Sequence, residues 1–374
     1  MYNQDIKLFF WQNVLSIHQC ALLSSLGRLC STELVAAEKI SENRIKQGWT
    51  VPEMPGVKLC VSPDKSMIAD IMKNNNDSNC IHIVSGFSSV GFKKINLIKE
   101  LNEHKIKPYI FTEPYNNRDG IKSLIRWGLY RFYALRYRNK ISGIFATGRI
   151  GTKCYEACGF KHIFEWGYFT VQKKEDDSII DTNDKHGFRV VFVGSLCKRK
   201  NVLSLITEMI KVLSKIEVFT IIGDGPLKNE VLKRINGFGN IQYMPNLDNS
   251  EVQKLMKNYD LLVLPSLFDG WGAVINEALY AGCRVLASDN CGAASLLDSP
   301  ERGSVFHLSK DSKDMFKSIQ LEIEKGIQTA EKRAEVSKWS ETHISGEAAA
   351  KKMFRILSDR DSAVKDVALW HQAD

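Results

Sequence analysis

The sequence predicts an α/β protein with two Rossmann-like domains, each a parallel sheet covered by helices on both faces. Three observations carry this. Short apolar runs alternate with amphipathic helical segments along the chain. The alternation breaks once, at a polar stretch, and then restarts. A length of 374 residues exceeds what one hydrophobic core usually supports, so two cores are expected. An apolar share of 44%, a charged share of 25% and nine prolines describe a globular chain, not a disordered or fibrous one.

In the first half, strands are read at IKLFFWQ, TELVAA, VKLCVS, CIHIVSG, KPYIFTE and GIFATG, with helices near 18–28, 65–74, 93–104, 121–140 and 150–158. Residues 172–187, QKKEDDSIIDTNDKHG, are charged and poor in large apolar side chains, and read as a linker. The second half has strands at FRVVFVGS, EVFTIIGDG, IQYMPN, DLLVLPS and RVLAS. Its helices lie near 201–214, 226–235 and 250–258, then through Glu277 and near 293–297. Residues 310–358 are helical in pattern, clearest in SGEAAAKKMFRIL. The expected division is 1–171, linker 172–187, 188–340, and a helical segment 341–374.

The opening MYNQDIKLFFWQNVLS has a short apolar run behind an acid and no small-residue cleavage site, so no leader is read. No stretch reaches the ~18–20 apolar residues that span a bilayer. Nine scattered cysteines without a Cys-x-x-Cys pair are expected to be reduced, mostly buried thiols in a cytosolic protein. The formal charge is +8, and its densest part is residues 121–140. There Lys122, Arg126, Arg131, Arg136, Arg138 and Lys140 share a run with Trp127, Tyr130, Phe132, Tyr133 and Tyr137, with no acid among them. Two readings fit. One is a basic aromatic helix on an anionic membrane, arginines on headgroups and rings at the interface. The other is a core helix with its aromatic face buried and its basic face in water. No nucleic-acid-binding module accompanies the segment.

Ligands in such sheets bind beyond the carboxyl ends of strands, so the loops leaving strands are the informative ones. VVFVGSLCKRKNVLSLI passes from a strand through Gly194 into Lys198, Arg199 and Lys200 and on into a helix. Glycine admits close backbone approach, and a helix start with nearby cations suits a phosphate or diphosphate. TIIGDGPLKNEV places Gly223, Asp224, Gly225 and Pro226 between strand and helix; it is neither a P-loop nor a complete GxGxxG, and a structural turn is an open alternative. SLFDGWGAVINEALYAG puts Asp269 in a loop and Glu277, after seven intervening residues, in the first turns of a helix ending at Gly282. Taken singly, Asp269 caps a turn and Glu277 makes a surface ion pair. Taken with the basic loop and the Gly-Asp-Gly-Pro turn, one acid can meet sugar hydroxyls, the other ribose hydroxyls, and the N–H groups between them a diphosphate.

The order of these motifs resembles the retaining GT-B glycosyltransferases of family four, the glycosyl transferases group 1. Those enzymes carry a glycine and basic loop, Gly-Asp-Gly-Pro, and Glu-x7-Glu around Gly-Phe-Gly. The resemblance implies a GT-B fold, two Rossmann-like domains facing each other across a cleft, with 188–300 on the donor side. It implies that Lys200, with Gly194, Ser195 and Arg199, meets the donor diphosphate, and that Glu277 binds ribose. Asp269 would hold sugar hydroxyls, with the backbone of Gly270, Trp271 and Gly272 beside it; Gly223, Asp224 and Gly225 line the site, and Met244, Asn246 and Leu247 face the base. Ser195 stands where the family often has arginine, Asp269 where it has glutamate, and Glu113 where many relatives have histidine. Glu113 and His18 are the candidate catalytic residues of the acceptor half, beside Asp269 and Lys200.

The implied reaction moves a sugar from a nucleotide diphosphate sugar to a glycan hydroxyl with retention, with no metal and no cofactor. The only Asp-x-Asp, Asp359 to Asp361, reads as a solvated tail. The expected acceptor is a lipid-linked glycan of bacterial surface polysaccharide synthesis (O-antigen, capsule or lipopolysaccharide), met at the inner face of the cytoplasmic membrane. Arg126, Trp127, Arg131, Arg136 and Arg138 are the membrane or acceptor contacts. KWSETHISGEAAAKKMF is similar to the family's crossover back to the first domain. A silent nucleotide-sugar-binding relative and a sugar-nucleotide epimerase are the alternatives; a GT-A enzyme and an NAD-dependent dehydrogenase lack their signatures.

Overall fold

The computed structural model describes residues 5–40, 53–88, 92, 95–169, 187–309, 312–358 and 368–371. The chain divides into two compact units, residues 1–172 with 343–374, and residues 173–342.

The first unit holds a seven-stranded sheet: β1 (Lys7–Val14), β2 (Ser31–Glu38), β3 (Val57–Val61), β4 (Cys80–Ser85), β5 (Tyr109–Thr112), β6 (Gly143–Thr147) and β7 (Ile163–Trp166). Its order is β3-β2-β1-β4-β5-β6-β7 and every pairing is parallel. Leu8 to Trp11 in β1 are all buried, so consecutive side chains meet apolar cover on both faces. That cover includes α1 (Ile17–Gly27), α2 (Lys65–Asn74), α3 (Leu97–Glu103), α4 (Ile121–Tyr137) and α5 (Gly148–Ala157). Helix α3 starts later than the sequence suggests because Asn96 caps it, its side chain accepting from the Lys99 N–H at 3.1 Å.

The second unit holds β8 (Arg189–Val193), β9 (Val218–Ile222), β10 (Ile241–Met244), β11 (Leu261–Leu264), β12 (Arg284–Ser288) and β13 (Gly303–Phe306), in the order β10-β9-β8-β11-β12-β13, again all parallel. Its helices are α6 (Val202–Ile210), α7 (Lys228–Ile235), α8 (Asn249–Met256), α9 (Val274–Tyr280), α10 (Lys313–Glu324) and α11 (Ala330–His343). Strand order reverses between β8 and β11, and loops leaving such a pair diverge to opposite faces and open a crevice. Register brings Val193 level with Ile222, and Ile222 level with Met244, so the loops after β8, β9 and β10 begin side by side.

The last long helix, α12 (Gly346–Ser358), belongs to the first unit and packs on α1. A Cβ on Gly346 would stand 2.4 Å from the Ala21 backbone, so only glycine permits that crossing. Strands β7 and β13 escape the sequence reading; both are four-residue edge strands with mixed burial, not fully buried runs. Of the segment read as a linker, 172–186 lies outside the described residues, as does Asp359 to Asp361. All nine cysteines are free thiols, six of them buried. Among the described residues no helix is long and apolar enough to cross a membrane.

Candidate functional site

The carboxyl ends of β8, β9 and β11 are joined by direct backbone contact. A Cβ on Gly223 would lie 2.1 Å from the Gly194 carbonyl oxygen, and one on Gly225 would lie 2.7 Å from that of Leu196. The Leu196 N–H donates to Asp224 O at 2.8 Å, and the Leu227 N–H to Leu196 O at 2.9 Å. Gly223 and Gly225 have φ of +147° and +153°, which L side chains rarely adopt. The Gly-Asp-Gly-Pro turn is therefore needed for packing, whatever else it does. Asp224 is exposed and occupied locally: the Lys228 ammonium at 2.9 Å, and then the Gly225 N–H, hold its carboxyl below the ordinary value.

The basic stretch Lys198–Lys200 forms one 3₁₀ turn. It closes with Asn201 at φ +56°, a left-handed conformation that asparagine tolerates better than most residues. From it Lys200 Nζ donates to Asp269 Oδ2 at 2.6 Å, and Arg199 Nη1 lies 3.3 Å from the same oxygen. Arg199 also donates to Phe268 O at 3.0 Å and accepts through its own carbonyl from the Leu267 N–H at 2.8 Å. Burial pushes the Asp269 carboxyl up, but Lys200, with help from Arg199 and the Trp271 N–H, outweighs it and holds the group below its usual value. An ionised acid is thus kept in a mostly buried place by two cations.

The loop carrying Asp269 is clamped from its other side. Asp269 N–H donates to Asn290 O at 3.0 Å, Gly292 N–H to Asp269 O at 3.0 Å, and Ala293 N–H to Trp271 O at 2.8 Å. A Cβ on Gly292 would meet Gly270 O at 2.3 Å. The Trp271 ring is core, its Nε1 donating to Asn276 Oδ1 at 2.8 Å, so this side chain is not presented to a ligand.

Glu277 lies in the first turn of α9 and is buried, not paired at the surface, which corrects that reading. Its Oε1 accepts from Asn249 Nδ2 at 2.8 Å. Burial raises the carboxyl to about 7, the Asn249 bond offsetting part of the rise. Asn249 is a partner that sequence reasoning missed. Its signal was the Asp248-x-x-Glu251 capping box, which starts α8 at that residue. Met244 ends β10 and accepts from the Gly223 N–H at 3.2 Å; Asn246 is exposed and Leu247 half-buried just beyond. Ser195 sits in the β8 loop and brings no charge there.

In the first unit, His18 and Glu113 are brought together through a residue absent from the sequence reading. Tyr168 Oη donates to Glu113 Oε1 at 2.9 Å, and the Tyr168 ring lies 5.7 Å from that of His18. Tyr155 Oη fixes the Glu113 backbone by donating to its carbonyl at 2.5 Å. Tyr168 follows β7, and that strand was not foreseen.

Helix α4 divides its aromatic side chains between the core and the surface. Tyr130, Tyr133 and Tyr137 turn inward, two of them around Phe87, while Trp127 and Phe132 are exposed. Arg126 is tied to Asn116 O and Asp119, both at 3.1 Å. Arg131 donates to Cys158 O at 3.0 Å, and Trp127 to Ala157 O at 3.3 Å. Arg136 donates to Tyr137 Oη at 3.2 Å, while Arg138 is exposed.

Residues 187–323 match the family described as glycosyl transferases group 1. That stretch is similar to a glycosyl transferases group 1 domain. Every donor-side residue named above falls inside it. A putative teichuronic acid biosynthesis glycosyltransferase of Bacillus subtilis is 32% identical over 106 residues, 28% of this chain and 26% of that protein. The chain spans less than a third of the curated relatives it matches. Solved structures match over nearly all of both chains. HepE of Anabaena, in complex with UDP, has a TM-score of 0.70 at 13% identity, covering 94% of this chain and 100% of its own. WaaG, a glycosyltransferase involved in lipopolysaccharide biosynthesis, has a TM-score of 0.62 at 14% identity, covering 94% and 99%. The group 1 domain is thus one half of a GT-B fold.

Proposed function

We propose that the protein transfers a sugar from a nucleoside diphosphate sugar to a hydroxyl of a glycan acceptor, with retention at the anomeric carbon and without a metal. The observation that carries the reading is the Lys200–Asp269 pair, 2.6 Å apart, built by the loops after β8 and β11 inside the group 1 domain. Cleaving the anomeric carbon–oxygen bond leaves a nucleoside diphosphate, and the negative charge that develops is met by Lys200, Arg199 and the loop N–H groups. The acceptor oxygen forms the new bond, and its proton leaves with the diphosphate. Asp269, kept ionised, accepts from hydroxyls of the transferred sugar while orienting Lys200. Glu277 accepts from ribose hydroxyls, and residues 244–247 meet the base.

Support for a nucleotide sugar comes from HepE, which was solved with UDP and with UDP-glucose. Support for a surface-polysaccharide acceptor, in our reading a lipid-linked one handled by the first unit at a membrane, comes from WaaG and the Bacillus subtilis relative. A second reading, a GT-B chain that holds a nucleotide sugar without transferring it, rests on the uncharged Ser195.

A thermal-shift screen of nucleoside diphosphates and their sugars against wild type and Glu277→Ala tests the donor site. Selective stabilisation that the variant loses is expected. A folded wild type that no nucleotide stabilises would sink the transferase reading. Stabilisation without turnover on any acceptor would favour the second.

A further inference from the structure

We propose that α4 is a membrane anchor that lays an aliphatic stripe into the headgroup–acyl boundary of an anionic bilayer. The surface inference deepens the reading of a membrane-bound acceptor, but its observations belong to α4 alone.

A helix on a soluble protein normally hides its apolar stripe and shows a polar one. Helix α4 has two apolar faces. Tyr130, Tyr133, Ala134 and Tyr137 face the core. On the other side Ile121, Leu124, Ile125, Leu129, Phe132 and Leu135 are exposed by 77, 69, 67, 47, 56 and 60%. Their spacing of three and four residues stacks them into one stripe, on a 17-residue helix about 25 Å long. Six large side chains in one exposed row far exceed the scattered surface apolar residues of ordinary proteins, and such a row marks an interaction surface.

Charge selects the occupant. The helix carries Lys122, Arg126, Arg131 and Arg136 and no acid, and Arg138 and Lys140 follow it. At 3.6 residues per turn, Lys122 and Arg136 border one edge of the stripe, Arg131 and Arg138 the other. Among the described residues the acid paired with the helix, Asp119, is beside Arg126, outside the stripe. A rim of a single sign around an apolar row complements a surface that is negative throughout, as anionic headgroups are. A second copy of the chain, docked through the same face, would set these cations against themselves. Arg126 and Arg131 are bonded to the fold's own backbone, so Lys122, Arg138 and Lys140 are the cations best placed for headgroups.

The test is flotation of the full chain with vesicles of phosphatidylcholine alone and of phosphatidylcholine with about one-third phosphatidylglycerol. Wild type should float with the anionic vesicles and much less with the neutral ones, and added salt should release it. Leu124→Glu/Phe132→Glu should reduce bound protein by about tenfold or more, since carboxylates replace buried apolar area. Lys122→Glu/Arg138→Glu should reduce it less and weaken the salt dependence. Both variants alter exposed positions, so an unchanged melting temperature and unchanged stabilisation by UDP separate loss of anchoring from loss of fold or donor site. Flotation of Leu124→Glu/Phe132→Glu equal to wild type would overturn the proposal. So would a wild type that stays unbound at every composition, or one that binds no vesicles but forms a dimer abolished by the same variant.

Discussion

The loops after β8 and β11 and the loops after β1, β5 and β7 all leave the carboxyl ends of strands in parallel sheets, yet they are built differently. In the second unit the N–H groups of Leu196, Leu267, Asp269, Gly292 and Ala293 all donate across loops, and Gly223, Gly225 and Gly292 permit the backbones to touch. In the first, Glu113, Tyr168 and His18 meet through side chains. A site held by backbone is specified by glycines and by a fixed interval between acids, and these N–H groups are taken up in fixing the loops that carry Lys200 and Asp269. A site made of side chains depends on which residue each loop supplies, and can change its ligand by substitution.

If the second unit is the electrostatically tensioned one, breaking its pair should have the largest effect. Lys200 and Asp269 side chains are only 12% and 13% exposed. Lys200→Met leaves Asp269 in that environment with Arg199 alone, and should cost on the order of 3 kcal/mol in urea unfolding. Lys200→Met/Asp269→Asn should regain most of that stability while remaining inactive, because the second change removes the uncompensated charge. Additive losses in the double variant would show that the pair is not coupled and that the comparison between the two regions is wrong.

The next effect should come from Glu277. Its carboxyl is raised from 4.5 to about 7 in the folded protein, so the folded state retains a proton that the unfolded chain has already released. Stability from this group is therefore present at acid pH, falls as pH climbs through that window, and is lost above about 7. Glu277→Gln should match wild type near pH 5 and be more stable near pH 8, by on the order of 3 kcal/mol. Donor binding should run the other way. A carboxylate accepts ribose hydroxyls better than a carboxylic acid, so wild-type affinity for whichever nucleoside diphosphate stabilises it should rise between about pH 6 and 8, and that of Glu277→Gln should not. A pH-independent difference in stability between the two proteins would remove the buried titrating acid from the account.

How much of this was legible before the structure follows the same division. Buried parallel strands such as β11 and the middle of β1 announce themselves as apolar runs, whereas β7 and β13 are short, on an edge and only partly buried, and passed as loop. The glycines and the Asp269 to Glu277 interval were readable because backbone contact and helix starts constrain residue type. The burial of Glu277 was not, since a position in a helix says nothing of what covers it. Helix α4 shows the limit most clearly. Its charge and its aromatics stood out, but a segment with two apolar faces has no sequence signal for which one the core takes, and the core took the tyrosines.

The smallest expected effect lies in the first unit, where it would sharpen the contrast. Glu113 is exposed, so the Tyr168 hydroxyl contributes little to folding, and Tyr168→Phe should cost no more than about 1 kcal/mol. What that hydroxyl does is fix the direction of the Glu113 carboxylate. If Glu113 holds or deprotonates the acceptor, Tyr168→Phe should lower kcat by about three- to tenfold with KM for the nucleotide sugar unchanged, and Glu113→Gln should lower it further. A merely structural tyrosine would lower turnover only as far as it lowers stability. Loss of turnover in proportion to loss of stability would return Glu113 to the role of an ordinary loop acid and leave His18 as the remaining candidate in the first unit.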